Sequence, residues 1–250
     1  MRSISNGPDV LAPPSNLVRS LSLMISLAQV LLWFLVLWFN LSQSLPAIWA
    51  PLQIAIQSFL FVGLFIVAHD CMHGIVGPAS GRVGRRLGQL CAFLFAGFSY
   101  SQLKKNHDKH HDFLVSHQDP DYTENSDEHF FVWLWTFIKR YFGLKEFLIL
   151  HIHVVIAYLI SGSFLKVIIF FAIPSWIASL QLFYFGTYLP HRNFHQNHSS
   201  HVLKARNNDY PVWLSFITCY HFGYHQEHHK YPYLAWWRLP QALKLNKQKN

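Results

Sequence analysis

The sequence predicts an all-α integral membrane protein in which four transmembrane helices carry a cytosolic cap of short helices, and three observations predict it. Of the 250 residues, 52% are apolar and 17% aromatic, with a positive mean hydropathy, a composition too oily for a soluble globule. Apolar runs of the length that crosses a hydrocarbon core recur along the chain. Seventeen histidines are present, although histidine is neither a good membrane residue nor a common loop filler.

The elements follow in order. Residues 1–15, rich in Ser, Pro and Asn and without the cleavage signature of a secretory signal, are expected to form a short mobile tail. A single domain is expected over 16–240. Leu17 to Phe39 and Ile48 to Ala68 are each about as long as the roughly 20 residues that span a bilayer, and the uncharged NLSQSLP between them reads as a turn. Leu87 to Leu103, interrupted by Gly88, Gln89, Gly97 and Ser99, fits a re-entrant or interfacial helix better than a crossing. Residues 112–129 are polar and acidic, hence a surface loop. The aromatic cluster at 130–142, with Lys139 and Arg140, reads as an interfacial helix. Two more spans, about 146–160 and 164–189, are separated only by Ser161, Gly162 and Ser163, so they form an antiparallel hairpin. Beyond Arg192 the chain is polar apart from 211–220, too short to cross, and 241–250 reads as a polar C-terminal tail.

Charge orients this arrangement. Lys and Arg exceed acids by 20 to 12, and with four crossings only Lys166 falls on the side opposite both termini. The positive-inside rule then places both termini in the cytoplasm. The excess charge reports topology before it reports partners, and no nucleic-acid partner is expected. Cys71, Cys91 and Cys219 lie in apolar contexts without CxxC spacing, which suggests neither a disulfide framework nor a thiolate metal site.

Three histidine clusters stand out. His69 and His73, four apart at the cytosolic end of the second span, share a helix face. His107, His110 and His111 read HxxHH, and His225, His228 and His229 repeat that pattern. In HxxHH the first and second histidines are expected to share one face while the third points about 100° away, so one turn can serve two neighbouring metals. An even number of crossings separates the clusters, which places all three on one membrane side. A single HxxxH is weak, but eight buried imidazoles without partners would each cost free energy, so metal binding is the better reading. Imidazole suits zinc, copper, nickel and iron alike. Eight or nine histidines exceed the needs of one zinc and suit a dinuclear centre, and no HExxH is present.

HxxxH, HxxHH and HxxHH on a four-helix membrane protein resembles the fatty acid desaturase and hydroxylase superfamily. Within it, HDCMHG at 69–74, DPDY at 119–122, LQLFYFGTYLPHR at 180–192 and FITCYHFGYHQEHHKYPYLAWWRLP at 216–240 are similar to the β-carotene ketolases. The likeness runs from about residue 55 to 240. Cys71 departs from an expected alanine, and Tyr233 and Ala235 from an expected histidine and proline; none of these removes an expected ligand.

The resemblance implies two Fe2+ ions held by the eight clustered histidines, with a ninth ligand from the end of the last span, where His191 stands. It also implies that Thr187, one turn before His191, sits near the metal through water. His221, one turn before His225, is either a ligand or an outer-sphere donor, the latter preferred. Asp70, Asp119 and Asp121 lie near ligands in sequence, where a carboxylate accepting the second imidazole N–H would fix ring orientation; solvated loop acids are the alternative. His195, His198 and His201 are read as a polar-loop run, His151 and His153 as interfacial, and His117 and His129 carry no signal.

The implied chemistry is O2-dependent conversion of the C4 methylene of a β-ionone ring to a ketone. Tyr184, Phe185, Phe222, Tyr224, Trp236 and Trp237 are candidate lining residues for a carotenoid entering from the lipid bilayer, against the plainer reading of core or belt aromatics. No GxGxxG occurs, so electrons must come from outside the chain, and the cationic cytosolic face favours an acidic carrier such as ferredoxin. The alternative is a desaturase or hydroxylase of fatty acyl or other lipid chains with the same metal site.

Overall fold

The computed structural model describes residues 11–122, 129–192 and 205–248. His195, His198 and His201 lie outside them. The described residues form helices α1 (Asn16–Ser42), α2 (Ala50–Met72), α3 (Arg82–Ala96), α4 (Tyr100–Asp112), α5 (Phe130–Tyr141), α6 (Leu144–Ser161), α7 (Phe164–His191), α8 (Val212–Cys219), α9 (His225–Lys230) and α10 (Leu239–Lys247), with short 3-10 turns before α2 and α10 and no strand. Four segments are long and apolar enough to cross a membrane: α1, Ala47–Met72, α6 and α7.

The helices are inside out by the standards of a soluble protein. α1 leaves Leu27, Leu31, Leu35 and Trp38 exposed while burying Ser22, Ser26 and Asn40. In water that exposes apolar area and desolvates polar groups; in lipid the apolar side chains are solvated and the polar ones pair between helices. Accordingly Gln53 Nε2 donates to Asn40 Oδ1 at 2.8 Å across α1 and α2. Lys166, the one cation expected on the far side, turns its Nζ to the carbonyls of Leu41 (3.3 Å) and Gln43 (2.8 Å) and so satisfies the C-terminal end of α1. The protein is an integral membrane protein on this pattern together with its four apolar helices.

α2 is the central helix: Phe61, Val62, Ile66, Val67 and Ala68 are wholly buried, and it packs on α1, α3 and α7. Gly63 leaves room for two side chains packed on α2, since a Cβ there would stand 2.6 Å from Gln29 Nε2 and 2.8 Å from Tyr220 Oη. The run expected as one interfacial helix from Leu87 to Leu103 is broken into α3 and α4. Gly97 makes the break at φ 72°, a conformation a side chain resists, and a Cβ there would meet Ile149 at 2.7 Å.

α7 is continuous but carries two π turns, Ile168–Ala172 and Phe183–Tyr188, each followed two residues later by a proline, Pro174 and Pro190. A helical proline has no N–H to donate and its ring displaces the carbonyl four residues back, so the ladder widens just before it. Residues 241–247, expected as part of a polar tail, belong to α10. Its Ala242 is buried with Tyr224, Leu234 and Leu239, because the helix closes a second small core under α9. Leu11, assigned to the N-terminal tail, packs against the same core and accepts the Tyr233 hydroxyl at 2.9 Å.

Candidate metal centre

α2 ends where the site begins. His73 caps the helix and Gly74 follows at φ 67°, closing the last turn through its N–H to Cys71 O (3.1 Å) and so holding His69 and His73 one turn apart. α4 and α9 bring the other two clusters to this end of the bundle. His191 arrives on the last turn of α7, whose terminal carbonyls are held by Arg206: its Nε donates to Leu189 O at 2.9 Å and its N–H to Pro190 O at 3.2 Å.

Nine imidazoles gather into two adjacent groups. The ligand atoms of His69, His73, His107 and His228 lie within 4.8 Å of one another, and so do those of His110, His191, His225 and His229. His111 joins the first group through its Nε2, 3.0 Å from His228 Nε2. Neighbouring Nε2 pairs stand 2.7 Å apart for His73 and His107, 3.2 Å for His69 and His228, 2.9 Å for His191 and His225, and 3.0 Å for His225 and His229.

These groups correct the expected use of HxxHH. The first and second histidines of each motif do not share a site. In α4, His107 and His111 lie together and His110 belongs to the other group; in α9, His225 and His229 lie together and His228 crosses over. On a helix residue i+4 sits about 40° from residue i and residue i+3 about 60° on the other side, so i,i+4 forms the tighter pair and the residue between diverges. Each short helix therefore feeds both groups.

Two carboxylates meet rings of the histidine groups. Asp119 is buried; its Oδ1 accepts His110 Nδ1–H at 2.9 Å and the Asp121 N–H at 2.9 Å, and its Oδ2 accepts the Val115 N–H at 3.0 Å. Val115 makes that bond at φ 55°, a strained position for a β-branched residue. Asp70 stands 3.4 Å from His69 Nδ1 and accepts the Trp236 N–H at 3.1 Å. The solvated-loop reading of these acids therefore gives way. Glu227, passed over in sequence, is buried between ligands; it accepts the Asn246 amide at 3.2 Å and the Asn207 amide as well, tying α9 to α10. The signal available was its position inside HQEHH.

His221, expected beside the metals, packs instead among Phe216, Tyr224 and Trp236, its ring parallel to Tyr224 at 5.6 Å. Tyr220 and His221 both have positive φ, 49° and 62°, and this left-handed turn swings the ring away from the histidine face. His151 is exposed, with its Nδ1 2.8 Å from Phe147 O; His153 is buried against Phe93, because it faces into the bundle rather than the interface.

A cavity of about 230 Å³ opens from this centre. His69, His107, His110 and His225 form one end, and Phe65, Phe95, Leu134, Phe137, Leu150 and Trp176 are among its apolar walls. Thr187 and Phe222 line it. Tyr184, Phe185, Tyr224, Trp236 and Trp237 do not: Tyr184 packs on Phe130 and Tyr188, Phe185 on Tyr210, Tyr224 in the small core, Trp236 on Tyr220, and Trp237 reaches Ser22. The walls come from α2 to α7, and those from α5, Leu134, Phe137, Ile138 and Tyr141, belong to the segment that reads in sequence as an interfacial helix. Gly186 lets Phe222 lie over the centre; a Cβ there would be 2.5 Å from the Phe222 ring.

The donor set fits metal ions. Burial first, then repulsion from neighbouring imidazoles, holds His73, His107, His225, His228 and His229 well below the usual imidazole pKa, and His111 is pushed down to about 3 by the same causes. They are neutral at pH 7, the form that binds a metal. A neutral imidazole has one proton for two nitrogens, so converging nitrogens bring facing lone pairs that a cation satisfies. Bound at about 2.0–2.1 Å from one ion, nitrogens at right angles stand about 2.9 Å apart, the spacing found here. His110 differs: burial disfavours its charge, but the Asp119 hydrogen bond and the Asp121 and Asp119 charges prevail and raise its pKa. The 2.9 Å hydrogen bond to Asp119 holds the proton of the neutral ring on Nδ1, which leaves the Nε2 lone pair available to a metal. Asp119→Asn is expected to lower metal affinity or turnover about 10–100-fold, the usual cost of losing such a partner, read from metal content after dialysis against a graded chelator.

The fatty acid desaturase family profile matches residues 44–153 and 127–249. The chain is 41% identical over 196 residues to a β-carotene ketolase of Paracoccus sp. (strain PC1), covering 78% of this chain and 79% of that one. It is 42% identical over 184 residues to another from Paracoccus sp. (strain N81106 / MBIC 01143), covering 73% and 74%. A zeaxanthin 4-ketolase of Chlamydomonas reinhardtii is 33% identical over 220 residues, 86% of this chain and 49% of the longer algal protein.

Proposed function

From the premise that this chain belongs to the fatty acid desaturase family, with β-carotene ketolases among its relatives, we propose that it is a di-iron carotenoid 4-ketolase. It converts the C4 methylene of a β-ionone ring to a ketone, giving echinenone and canthaxanthin from β-carotene. The observation that carries this reading is the pair of imidazole groups closing one end of an apolar cavity.

His69, His73, His107, His111 and His228 would hold one Fe2+, and His110, His191, His225 and His229 the other; when bound, such a pair would supply O2 activation and the oxidising power for C4. The chain's own residues do the rest. Asp119 and Asp70 keep the imidazole tautomers and ring planes fixed. Phe65, Phe95, Phe137 and Phe222 exclude water and fix the ring end of a rigid polyene against the histidines. The first round turns CH2 into CHOH and the second gives a geminal diol, which loses water to become C=O; each round uses one O2, two electrons and two protons and releases one water. The electrons come from an acidic ferredoxin-like carrier at the cationic cytosolic face, where both termini lie by the positive-inside rule.

In a β-carotene-producing host that expresses the chain, red 4-keto carotenoids are the expected product by chromatography. Unchanged β-carotene with altered membrane lipids would instead assign the same centre to a fatty acyl desaturase or hydroxylase.

A further inference from the structure

The cavity wall is apolar over most of its area, and beside the histidines it carries a carboxylate and a phenol. Tyr141 on α5 donates its hydroxyl to Asp121 Oδ1 at 2.5 Å, and both residues line the cavity next to His110. Asp121 Oδ2 lies 3.8 Å from His110 Nδ1, whose proton is already given to Asp119 at 2.9 Å. The Asp121 carboxylate therefore retains acceptor lone pairs, and the Tyr141 oxygen, which already accepts from the Asn106 side chain, has one further lone pair. Two other hydroxyls of the wall donate their protons to the backbone of their own helix: Ser175 to Ala172 O and Ser179 to Ser175 O, each at 2.9 Å.

The pair is firmly held. The loop that bears Asp121 is clamped to α5 at three points: Trp133 Nε1 donates to Asp121 O (3.1 Å), and Arg140 donates to Pro120 O (2.7 Å) and Tyr122 O (2.6 Å). A purely apolar substrate makes no use of such a group, and burying it against hydrocarbon carries a cost. A substrate that has just gained a hydroxyl at the ring carbon facing the metals does use it.

We propose that the Tyr141–Asp121 pair accepts a hydrogen bond from the 4-hydroxyl of the half-oxidised ring and keeps that alcohol in the cavity until its second oxidation. The inference rests on the carotenoid 4-ketolase reading. The pair positions the alcohol, and the product is a ketone because the second oxidation of CHOH outruns departure of the more polar intermediate into the headgroup region.

The test is the ratio of 4-hydroxy to 4-keto rings made from β-carotene by membranes containing the protein and a reducing system. Read at low conversion, before released alcohol is taken up again, this ratio reports how the intermediate divides between release and second oxidation rather than how fast the protein turns over. Losing one hydrogen bond to the alcohol should raise it about five-fold in Tyr141→Phe, and at least as much in Asp121→Asn. An unchanged ratio in both variants overturns the proposal, as does a rise confined to Thr187→Val on the facing wall. A second measurement uses the unaltered protein: KM for added 4-hydroxy-β-carotene should be no higher than that for β-carotene, and a KM several-fold higher overturns the proposal even if both variants fail to fold. If the unaltered protein makes neither alcohol nor ketone, the ketolase reading itself fails, an outcome distinct from a changed or unchanged ratio.

Discussion

His228→Ala should abolish turnover and lower the bound metal from two ions per chain toward one. His228 is the only member of its cluster in the first imidazole group, where it stands 3.2 Å from His69 Nε2 and 3.0 Å from His111 Nε2. Losing an outer-sphere partner typically costs 10–100-fold, so losing this ligand should cost more than about 1,000-fold. His225 and His229 remain with the second group, so that ion should stay bound. His117→Ala, on an exposed loop residue outside both groups, is the control and should leave metal content and activity unchanged. Full activity in His228→Ala, or loss of both ions together in equal measure with His117→Ala, would show that the crossing arrangement is not the one in use.

Metal exchange should have an effect as large. Protein stripped with a strong chelator is expected to be inactive, and anaerobic Fe2+ with a reductant should restore turnover. Zn2+ should bind the same nitrogens and restore none, since it has no accessible redox change with which to activate O2. Because any metal that binds the folded state alone adds stability, both ions should raise the melting temperature in detergent over the stripped form. Zinc would thus separate occupation of the centre from its chemistry. Turnover by zinc-loaded, iron-free protein would sink the di-iron mechanism.

The sequence carried the architecture because the bilayer imposes simple rules. A span must be a long apolar helix, and Leu17 to Phe39, Ile48 to Ala68 and the pair joined by Ser161–Gly162–Ser163 are visible on that ground; they lie within the four candidate spans. Counting crossings places three histidine clusters on one side; seven of their imidazoles, with His191, form the two groups, and His111 joins through His228. Departures arise where a residue's role depends on a neighbour remote in sequence. Trp236 and Trp237 sit in a block similar to the ketolases yet face Tyr220 and Ser22, while Phe65, Phe95 and Phe137, singled out by no motif, line the cavity. His221 is one turn from a ligand, but two consecutive left-handed residues carry it into an aromatic box.

What the chain order determined by itself, then, is which residues lie in lipid, which end of the bundle carries the histidines, and that these are numerous enough for two ions. Those are properties of composition, run length and parity of crossings, all one-dimensional. Only the tertiary structure decided which imidazole joins which group, that Asp119 rather than solvent meets His110, and that Tyr141 and Asp121 share the cavity with His69, His107, His110 and His225. The reason is geometric: a helical repeat fixes angles within α4 or α9, but the crossing of those helices and the clamping of the 119–122 loop on α5 bring together atoms that the spacing along the chain leaves unrelated.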